Sequence, residues 1–174
     1  MKFKLVTWNV RGLNDRDKRR LVKSVMKGWN ADIICLQETK LEGNMEEKVG
    51  NLGRAWKGDI VETDMYTLTC KFESQLYNYS CHITGVYAPN CYIERRSVWV
   101  ELGAIRGIIE GPWAVCGDFN VVRFISEKRN CERRTRGMKE FSDVIEDLKL
   151  VDLQLEDNNY TWFKGGQSRG SLLN

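Results

Sequence analysis

The chain of 174 residues is 42% hydrophobic and 29% charged, with a formal net charge of +3. Such a length and composition predict one globular domain, residues 1–174, and the small net charge does not by itself indicate a nucleic-acid partner. No apolar stretch reaches the roughly 20 residues of a membrane helix, and the N-terminus lacks the apolar core of a secretion signal. We therefore expect an intracellular protein, nuclear or cytoplasmic, that is not secreted and has no membrane partner.

The first predicted strand spans Lys2–Asn9 and delivers a polar amide, Asn9, where the strand ends. A helix follows from about Lys18 to Trp29, because its apolar residues recur on one face. Either Asp15 or Asp17 can cap the N-terminus of this helix.

A second, continuously apolar strand is predicted at Asp32–Leu36, followed by Glu38. Strand, helix and strand in this order form a βαβ unit, so the two strands are expected to be parallel. Asn9 and Glu38 then emerge at the same edge of the sheet, where open α/β sheets place ligands. A lone glutamate after a strand is otherwise usually an exposed surface residue without a functional role.

The middle of the chain predicts an antiparallel hairpin of two alternating strands, Tyr66–Phe72 and Ser80–Tyr87. The hairpin ends at Tyr87, whose hydroxyl is placed to reach a phosphate. His82 lies in mid-strand, which favours packing or a surface position over a catalytic role. Weak signals precede the hairpin, with a short helix at Met45–Leu52.

A helix at Glu94–Glu110 leads into an apolar strand at Trp113–Cys116. Gly117 leaves room for a close backbone approach or an unusual φ. Asp118 and Asn120 project together if the extended geometry persists to Asn120, since side chains two apart on a strand share a face. A carboxylate beside a carboxamide suits a phosphate oxygen held next to Mg²⁺. The alternative is that both residues only shape a turn.

The segment from Arg123 to Arg136 is rich in arginine and poor in apolar residues, which predicts a loop. Its charge suits a polyanion, although a solvated loop is an equally good interpretation. An amphipathic helix at Gly137–Lys149 follows, and a last short strand is predicted at Tyr160–Phe163.

Four short motifs, each at the end of a predicted strand, resemble in their order those of the endonuclease/exonuclease/phosphatase superfamily. They are Trp8-Asn9-Val10-Arg11-Gly12-Leu13-Asn14, Leu36-Gln37-Glu38-Thr39-Lys40, Val86-Tyr87-Ala88-Pro89-Asn90 and Gly117-Asp118-Phe119-Asn120. The residues in these motifs look closest to those in the endonuclease domains of plant LINE-type (non-LTR) retrotransposons. The resemblance spans essentially the whole chain and implies an α/β (α+β) fold, a deoxyribonuclease I-like β-sandwich of mixed sheets flanked by helices.

The resemblance implies a Mg²⁺-dependent endonuclease (with Mn²⁺ as an alternative metal) that hydrolyses the phosphodiester bonds of DNA. Glu38 would bind the metal, with help from Asn9. Tyr87 would contact the scissile phosphate or its leaving oxygen, Asp118 would orient or activate the attacking water, and Asn120 would hold a phosphate oxygen. By the same resemblance Arg95 would lie near the DNA. The other residues predicted to contact DNA are also basic: Arg11, Arg96, Arg123, Lys128, Arg129, Arg133 and Arg134.

The chain departs from the family's pattern in three places. The family's late Ser-Arg-x-Asp motif starts at Ser168 but has Ser171 in place of its aspartate, and the terminal Asp-His pair has no counterpart up to Asn174. The interval between the Glu38 and Tyr87 motifs is also shorter than the corresponding interval in the family. We therefore expect an incomplete fold that lacks the family's C-terminal strands, and impaired activity, because a missing acid/base group commonly costs roughly 10²–10⁴-fold in rate.

Two classes of function stay open on the sequence. The first is the endonuclease, with no obligate protein partner. The second is a catalytically dead remnant, or pseudogene product, that still binds nucleic acid. DNA affinity that falls steeply with salt, without cleavage in Mg²⁺, would favour the second class.

Overall fold

The computed structural model describes residues 3–41, 56–128 and 130–153. The chain divides into two compact units, Met1–Asn120 and Val121–Asn174. The predicted mixed α/β architecture, with sheets flanked by helices, is confirmed. The prediction of a single domain over residues 1–174 stays a prediction.

The first unit begins with the expected βαβ unit: β1 (Leu5–Asn9), α1 (Arg16–Gly28) and β2 (Ile33–Gln37). The two strands pair in parallel, as the sequence predicts, and Asn9 lies opposite Gln37. Of the two candidate caps, Asp15 is the one used, because its Oδ1 accepts a hydrogen bond from Lys18 N at 2.7 Å. A cap of this kind satisfies a backbone N–H that has no partner within the helix.

The rest of the first unit is a four-stranded sheet and a helix: β3 (Trp56–Thr63), β4 (Thr67–Ser74), β5 (Ser80–Tyr87), α2 (Arg95–Ile108) and β6 (Trp113–Asp118). The strands lie in the order β3-β4-β5-β6. Strands β3, β4 and β5 pair antiparallel, which confirms the hairpin, and β5 pairs with β6 in parallel.

The two sheets pack face to face, and a helix covers the outer face of each. Ile33 of β2 clusters with Ile83 of β5 between the sheets. On the other side of the small sheet, Val22 of α1 packs against Val10 and Leu13. Helix α2 lies against β4 with a buried apolar stripe that includes Val98, Leu102 and Ile105. The layers thus run α1, small sheet, large sheet, α2.

All six cysteines of the chain are free thiols. Cys35 and Cys116 are hydrogen-bonded to each other between the two sheets. The hydrogen bond from Cys116 lowers the pKa of Cys35, whereas the same bond and burial raise the pKa of Cys116.

Strand β3 was not predicted from the sequence. This strand pairs only with β4 in the sheet order, so one of its edges has no strand beside it among the described residues. Most of its exposed positions carry charged residues, and its register shifts between Ile60 and Glu62. Gly58 lies so close to the Phe72 ring that a Cβ there would be 2.7 Å from the ring. Such a strand lacks the clean apolar alternation by which strands are recognised.

The second unit contains a short 3-10 helix (Ile125–Glu127) and α3 (Arg136–Asp147), which confirms the last predicted helix with slightly shifted ends. Thr135 caps α3 by accepting from Met138 N at 3.3 Å. The predicted helix at Met45–Leu52, the strand at Tyr160–Phe163 and the departures from Ser168 onward lie outside the described residues. Within the described ranges, no helix combines the length and the apolar character needed to cross a membrane.

Candidate active site

The candidate site lies where β1 and β2 end side by side. Beyond the strands, Val10 N donates to Gln37 O at 3.0 Å and Gly12 N donates to Glu38 O at 2.6 Å. Arg11 and Glu38 both have left-handed backbone conformations, with φ of 48° and 51°. Non-glycine residues rarely adopt this conformation, and they often do so at functional sites. The cross-strand hydrogen bonds hold the two turns in place.

Asn9 and Glu38 meet at this edge, as the sequence predicts. Asn9 Nδ2 donates to Glu38 Oε1 at 2.8 Å, and Arg11 N donates to Asn9 Oδ1 at 3.1 Å. The second hydrogen bond fixes which way the amide points, because the backbone N–H requires the oxygen on its side. Asn9 therefore presents an N–H to the carboxylate and keeps it in position.

Tyr87 of the large sheet reaches the same carboxylate. Hydrogen bonds from Asn9 and Tyr87 to Glu38 hold the pKa of that carboxyl below its ordinary value, and the positive charges of Lys40 and Arg11 act in the same direction. The bond to Glu38 also raises the pKa of Tyr87, as do burial and the nearby charge of Asp118. Glu38 is thus an ionised carboxylate with two donors, and the Tyr87 phenol keeps its proton.

Asp118 and Asn120 are close together, but not because the strand continues. Strand β6 ends at Asp118, and Asn120 has a left-handed φ of 49°, so the extended geometry does not persist to Asn120. A turn brings them together instead: Asn120 N donates to Asp118 Oδ1 at 2.9 Å, and Asn120 Nδ2 donates to Ala88 O at 2.7 Å. Asp118 lies beside Tyr87 in the parallel pairing of β5 and β6.

Gln37, directly before Glu38, is a site residue that sequence analysis passed over. Its side chain crosses between the sheets, and Nε2 donates to Val86 O at 2.6 Å in a buried position. Gly117 lies against this bond with φ of 140°, and a Cβ there would be 2.5 Å from Gln37 Nε2 and also too close to the Val86 backbone. Both features predicted for Gly117, a close approach and an unusual φ, are confirmed. The sequence feature that could have identified Gln37 is a polar residue directly after an apolar run, at the end of a buried strand.

The predicted basic residues of the first unit have different surroundings. Arg11 is exposed near Glu38, and Arg96 is exposed with its guanidinium 5.6 Å from the Tyr92 ring centre. Arg95 is buried, and its Nε and Nη2 donate to Pro89 O at 3.2 Å and to Asn90 O at 2.9 Å. These bonds support the loop that follows Tyr87; a contact of Arg95 with DNA stays a prediction. His82, five residues before Tyr87, lies away from this edge.

Two of the predicted basic residues of the second unit, Arg123 and Arg134, line an open hollow of about 450 Å³. The Arg123 guanidinium lies 5.1 Å from the Phe124 ring centre and 3.4 Å from a Glu146 oxygen. The other predicted basic residues here are exposed: Lys128, Arg133 and Arg134. Arg129 lies outside the described residues.

The donor chemistry of the first-unit site fits Mg²⁺. This ion takes hard oxygen ligands and is usually held by one or two carboxylates together with water and substrate phosphate. Glu38 offers an ionised carboxylate, and Asp118 is a second carboxylate near Tyr87. No cluster of three or more histidine, cysteine, aspartate or glutamate residues suited to a metal occurs in residues 3–41, 56–128 and 130–153.

Residues 6–171 match the sequence profile of the Endonuclease/Exonuclease/phosphatase family. The chain belongs to this family. It is also 28% identical over 177 residues to the exodeoxyribonuclease of Bacillus subtilis (strain 168), a match that covers 81% of this chain and 67% of that protein.

In this member of the Endonuclease/Exonuclease/phosphatase family, experiment can separate the effects of the two hydrogen-bond donors on the pKa of Glu38. Asn9→Ala and Tyr87→Phe should each raise the pKa of Glu38 toward its ordinary value, because a donor to the charged form favours that form. Asn9→Ala should raise it more, since the Asn9 bond is the larger cause. Carboxyl ¹³C NMR titration of metal-free protein measures both, with exposed Asn14→Ala as the control. An unchanged pKa in both variants would contradict this account of the site.

Proposed function

We propose that the chain hydrolyses phosphodiester bonds of DNA in a divalent-metal-dependent reaction and acts as an endonuclease. The observation that carries the proposal is the hydrogen-bonded set of Asn9, Glu38 and Tyr87, with Asp118 beside Tyr87. It joins the ends of both sheets at one solvent-accessible edge, and Tyr87 is 45% exposed. A phosphate group can therefore approach a carboxylate, a phenol and a second carboxylate together.

Each side chain has a proposed role that follows from its hydrogen bonds. Glu38, kept ionised and oriented by Asn9, would hold Mg²⁺ or Mn²⁺. The bound metal would supply charge stabilisation at the phosphoryl oxygens. Tyr87, whose phenol keeps its proton, would turn its O–H from Glu38 to the scissile phosphate or its leaving oxygen once substrate and metal are bound.

Asp118 and Asn120 would act on the water and on the phosphate. Asp118 Oδ1 is taken by Asn120 N, which leaves the other carboxylate oxygen to accept a proton from the attacking water. Asn120 Nδ2 uses one N–H on Ala88 O and has a second N–H to offer a phosphate oxygen. The two residues would thus have complementary roles, Asp118 toward the water and Asn120 toward the phosphate.

The proposed substrate is DNA. The surfaces that support it are basic: Arg11 and Arg96 in the first unit, and Lys128, Arg133 and Arg134 in the second. Arginine and lysine neutralise phosphates and give salt-dependent affinity. The relationship to plant LINE-type retrotransposon endonucleases, and the reduced activity expected from the late motif, remain predictions from the sequence motifs.

Supercoiled plasmid tests the proposal directly, because a closed circle has no ends and only an endonuclease can cut it. We expect the purified protein to convert it to nicked circles in Mg²⁺ or Mn²⁺ and to leave it intact in EDTA. Degradation of linear duplex from its ends, with intact circles, would favour an exonuclease, the activity named for the Bacillus subtilis relative. Folded protein that cuts neither substrate but binds DNA at low salt would be the nucleic-acid-binding remnant.

A further inference from the structure

Gln37 occupies a position that connects three of the four strand ends of the proposed site, those of β2, β5 and β6. It is the last residue of β2, is 9% exposed, and lies directly before Glu38. Its Nε2 donates at 2.6 Å to the carbonyl of Val86, the residue before Tyr87. The same nitrogen lies against Gly117, the residue before Asp118. The buried side-chain amide of Gln37 therefore contacts the backbone next to Tyr87 and next to Asp118. The backbone of Gln37 is joined directly to Glu38.

The direct contacts among the proposed catalytic side chains are at the solvent-accessible edge and would be weak on their own. Hydrogen bonds at a solvent-exposed edge compete with bonds to water and therefore add little net stability. The bond from Gln37 to Val86 O is buried, where breaking it leaves polar groups without partners. The bond also crosses from the small sheet to the large one. It is thus placed to fix how far apart the two sheet edges lie.

We infer that Gln37 is a positioning residue: it sets the distance between the end of β2 and the ends of β5 and β6, and so holds Glu38 against Tyr87 and Asp118. The inference rests on the proposed function for its effect on rate. Misplacement of a reacting group by about 1 Å can cost around 10²-fold, and loss of a residue that orients a ligand typically costs 10–100-fold. Gln37 itself need not touch the substrate.

Gln37→Met tests the inference, because methionine has a similar length but cannot donate. Gln37→Asn is the second variant; it keeps the amide but is one methylene too short to span the sheets. Thr69→Val is the matched control. Thr69 is fully buried in β4, and its hydroxyl is 2.8 Å from that of Thr84, which also accepts from Trp113 Nε1 at 2.8 Å. This control also removes a buried hydrogen bond, but within one sheet and away from the site edge.

We expect both Gln37 variants to lower kcat for plasmid nicking about 10–100-fold with little change in KM. Thr69→Val should keep the wild-type kcat even if its unfolding midpoint in urea falls as far as the midpoints of the Gln37 variants. Amide hydrogen exchange gives a second readout that needs no activity. In the Gln37 variants, protection should fall at Gly12 N and Ala88 N, which bond to Glu38 O and Asp118 O at this edge. Thr69→Val should spare those amides.

Equal effects of Gln37→Met and Thr69→Val on kcat, or protection lost evenly over the first unit, would overturn the inference. If the wild-type protein fails to nick DNA, the proposed function is wrong, and hydrogen exchange alone decides the role of Gln37. Loss of protection confined to the site edge would then still assign it to sheet positioning. If the Gln37 variants lose no more protection at the site edge than Thr69→Val does, the positioning role of Gln37 is refuted as well.

Discussion

Glu38→Gln is expected to lower the rate of Mg²⁺-dependent plasmid nicking by at least about 10²-fold while leaving the protein folded. Glutamine has nearly the same shape: its side-chain oxygen can still accept from Asn9 Nδ2, and the Tyr87 hydroxyl, which can donate or accept, can still bond to the amide. The substitution therefore removes the negative charge and little else. A hard divalent cation loses its ionised ligand, whereas the hydrogen-bonded frame around position 38 is kept.

Nicked-circle formation over time, at several Mg²⁺ concentrations, measures this effect. Glu62→Gln is the control, because it makes the same change at an exposed position on β3. Nicking by Glu38→Gln at the wild-type rate would show that the cleavage does not depend on this carboxylate, and the assigned site would be wrong. Asp118→Asn in parallel tests whether the second carboxylate is needed as well.

The same substitution has a predicted pH signature in stability. The folded-state pKa of Glu38 is lowered, so its ionised form adds stability at pH values above the ordinary carboxyl pKa. That contribution is lost as the pH falls through the lowered, folded-state pKa. The difference in urea midpoint between wild type and Glu38→Gln should therefore shrink on acidification, and it should be small throughout, because the site is open to solvent.

The parts of the fold that sequence predicts are those that local pattern controls. The apolar runs before Asn9 and Glu38 flank an amphipathic segment, and that order constrains the two strands to be parallel neighbours. Polar residues at the ends of such strands must then share an edge. The meeting of Asn9 with Glu38 was predictable for this reason, and the structure brings them to 2.8 Å.

The parts that were missed depend on tertiary contacts. Strand β3 forms because β4 offers it a pairing edge, although its own sequence alternates poorly. Asn120 reaches Asp118 through a left-handed turn that Ala88 O stabilises, and no local pattern encodes that partner. Arg95 resembles Arg96 in sequence, yet it is buried against the carbonyls of Pro89 and Asn90. Side-chain burial of an arginine cannot be deduced from charge alone.

Gly117→Ala is expected to cause the largest loss of stability among glycine-to-alanine substitutions at the described glycines of the first unit. The backbone φ of 140° is one that alanine adopts only under strain, at a cost of about 1–3 kcal/mol. The added Cβ would also collide with Val86 O and come within 2.8 Å of Val86 N and 2.5 Å of Gln37 Nε2. Overpacking of this kind adds about 1–3 kcal/mol, so a large part of a domain's typical 5–15 kcal/mol is lost.

Two other glycines separate the causes of that loss. Gly111→Ala has a left-handed φ of 84° but nothing within 4 Å of the new Cβ, so it should show the backbone strain without the collision. Gly103→Ala lies in α2 with open space around it and should stabilise the helix by about 0.5–1 kcal/mol. Urea unfolding of the three variants measures the series. A Gly117→Ala protein no less stable than Gly111→Ala would contradict the close approach at β5 and β6, and with it the contact of Gly117 with Gln37 on which the spacing of the site depends.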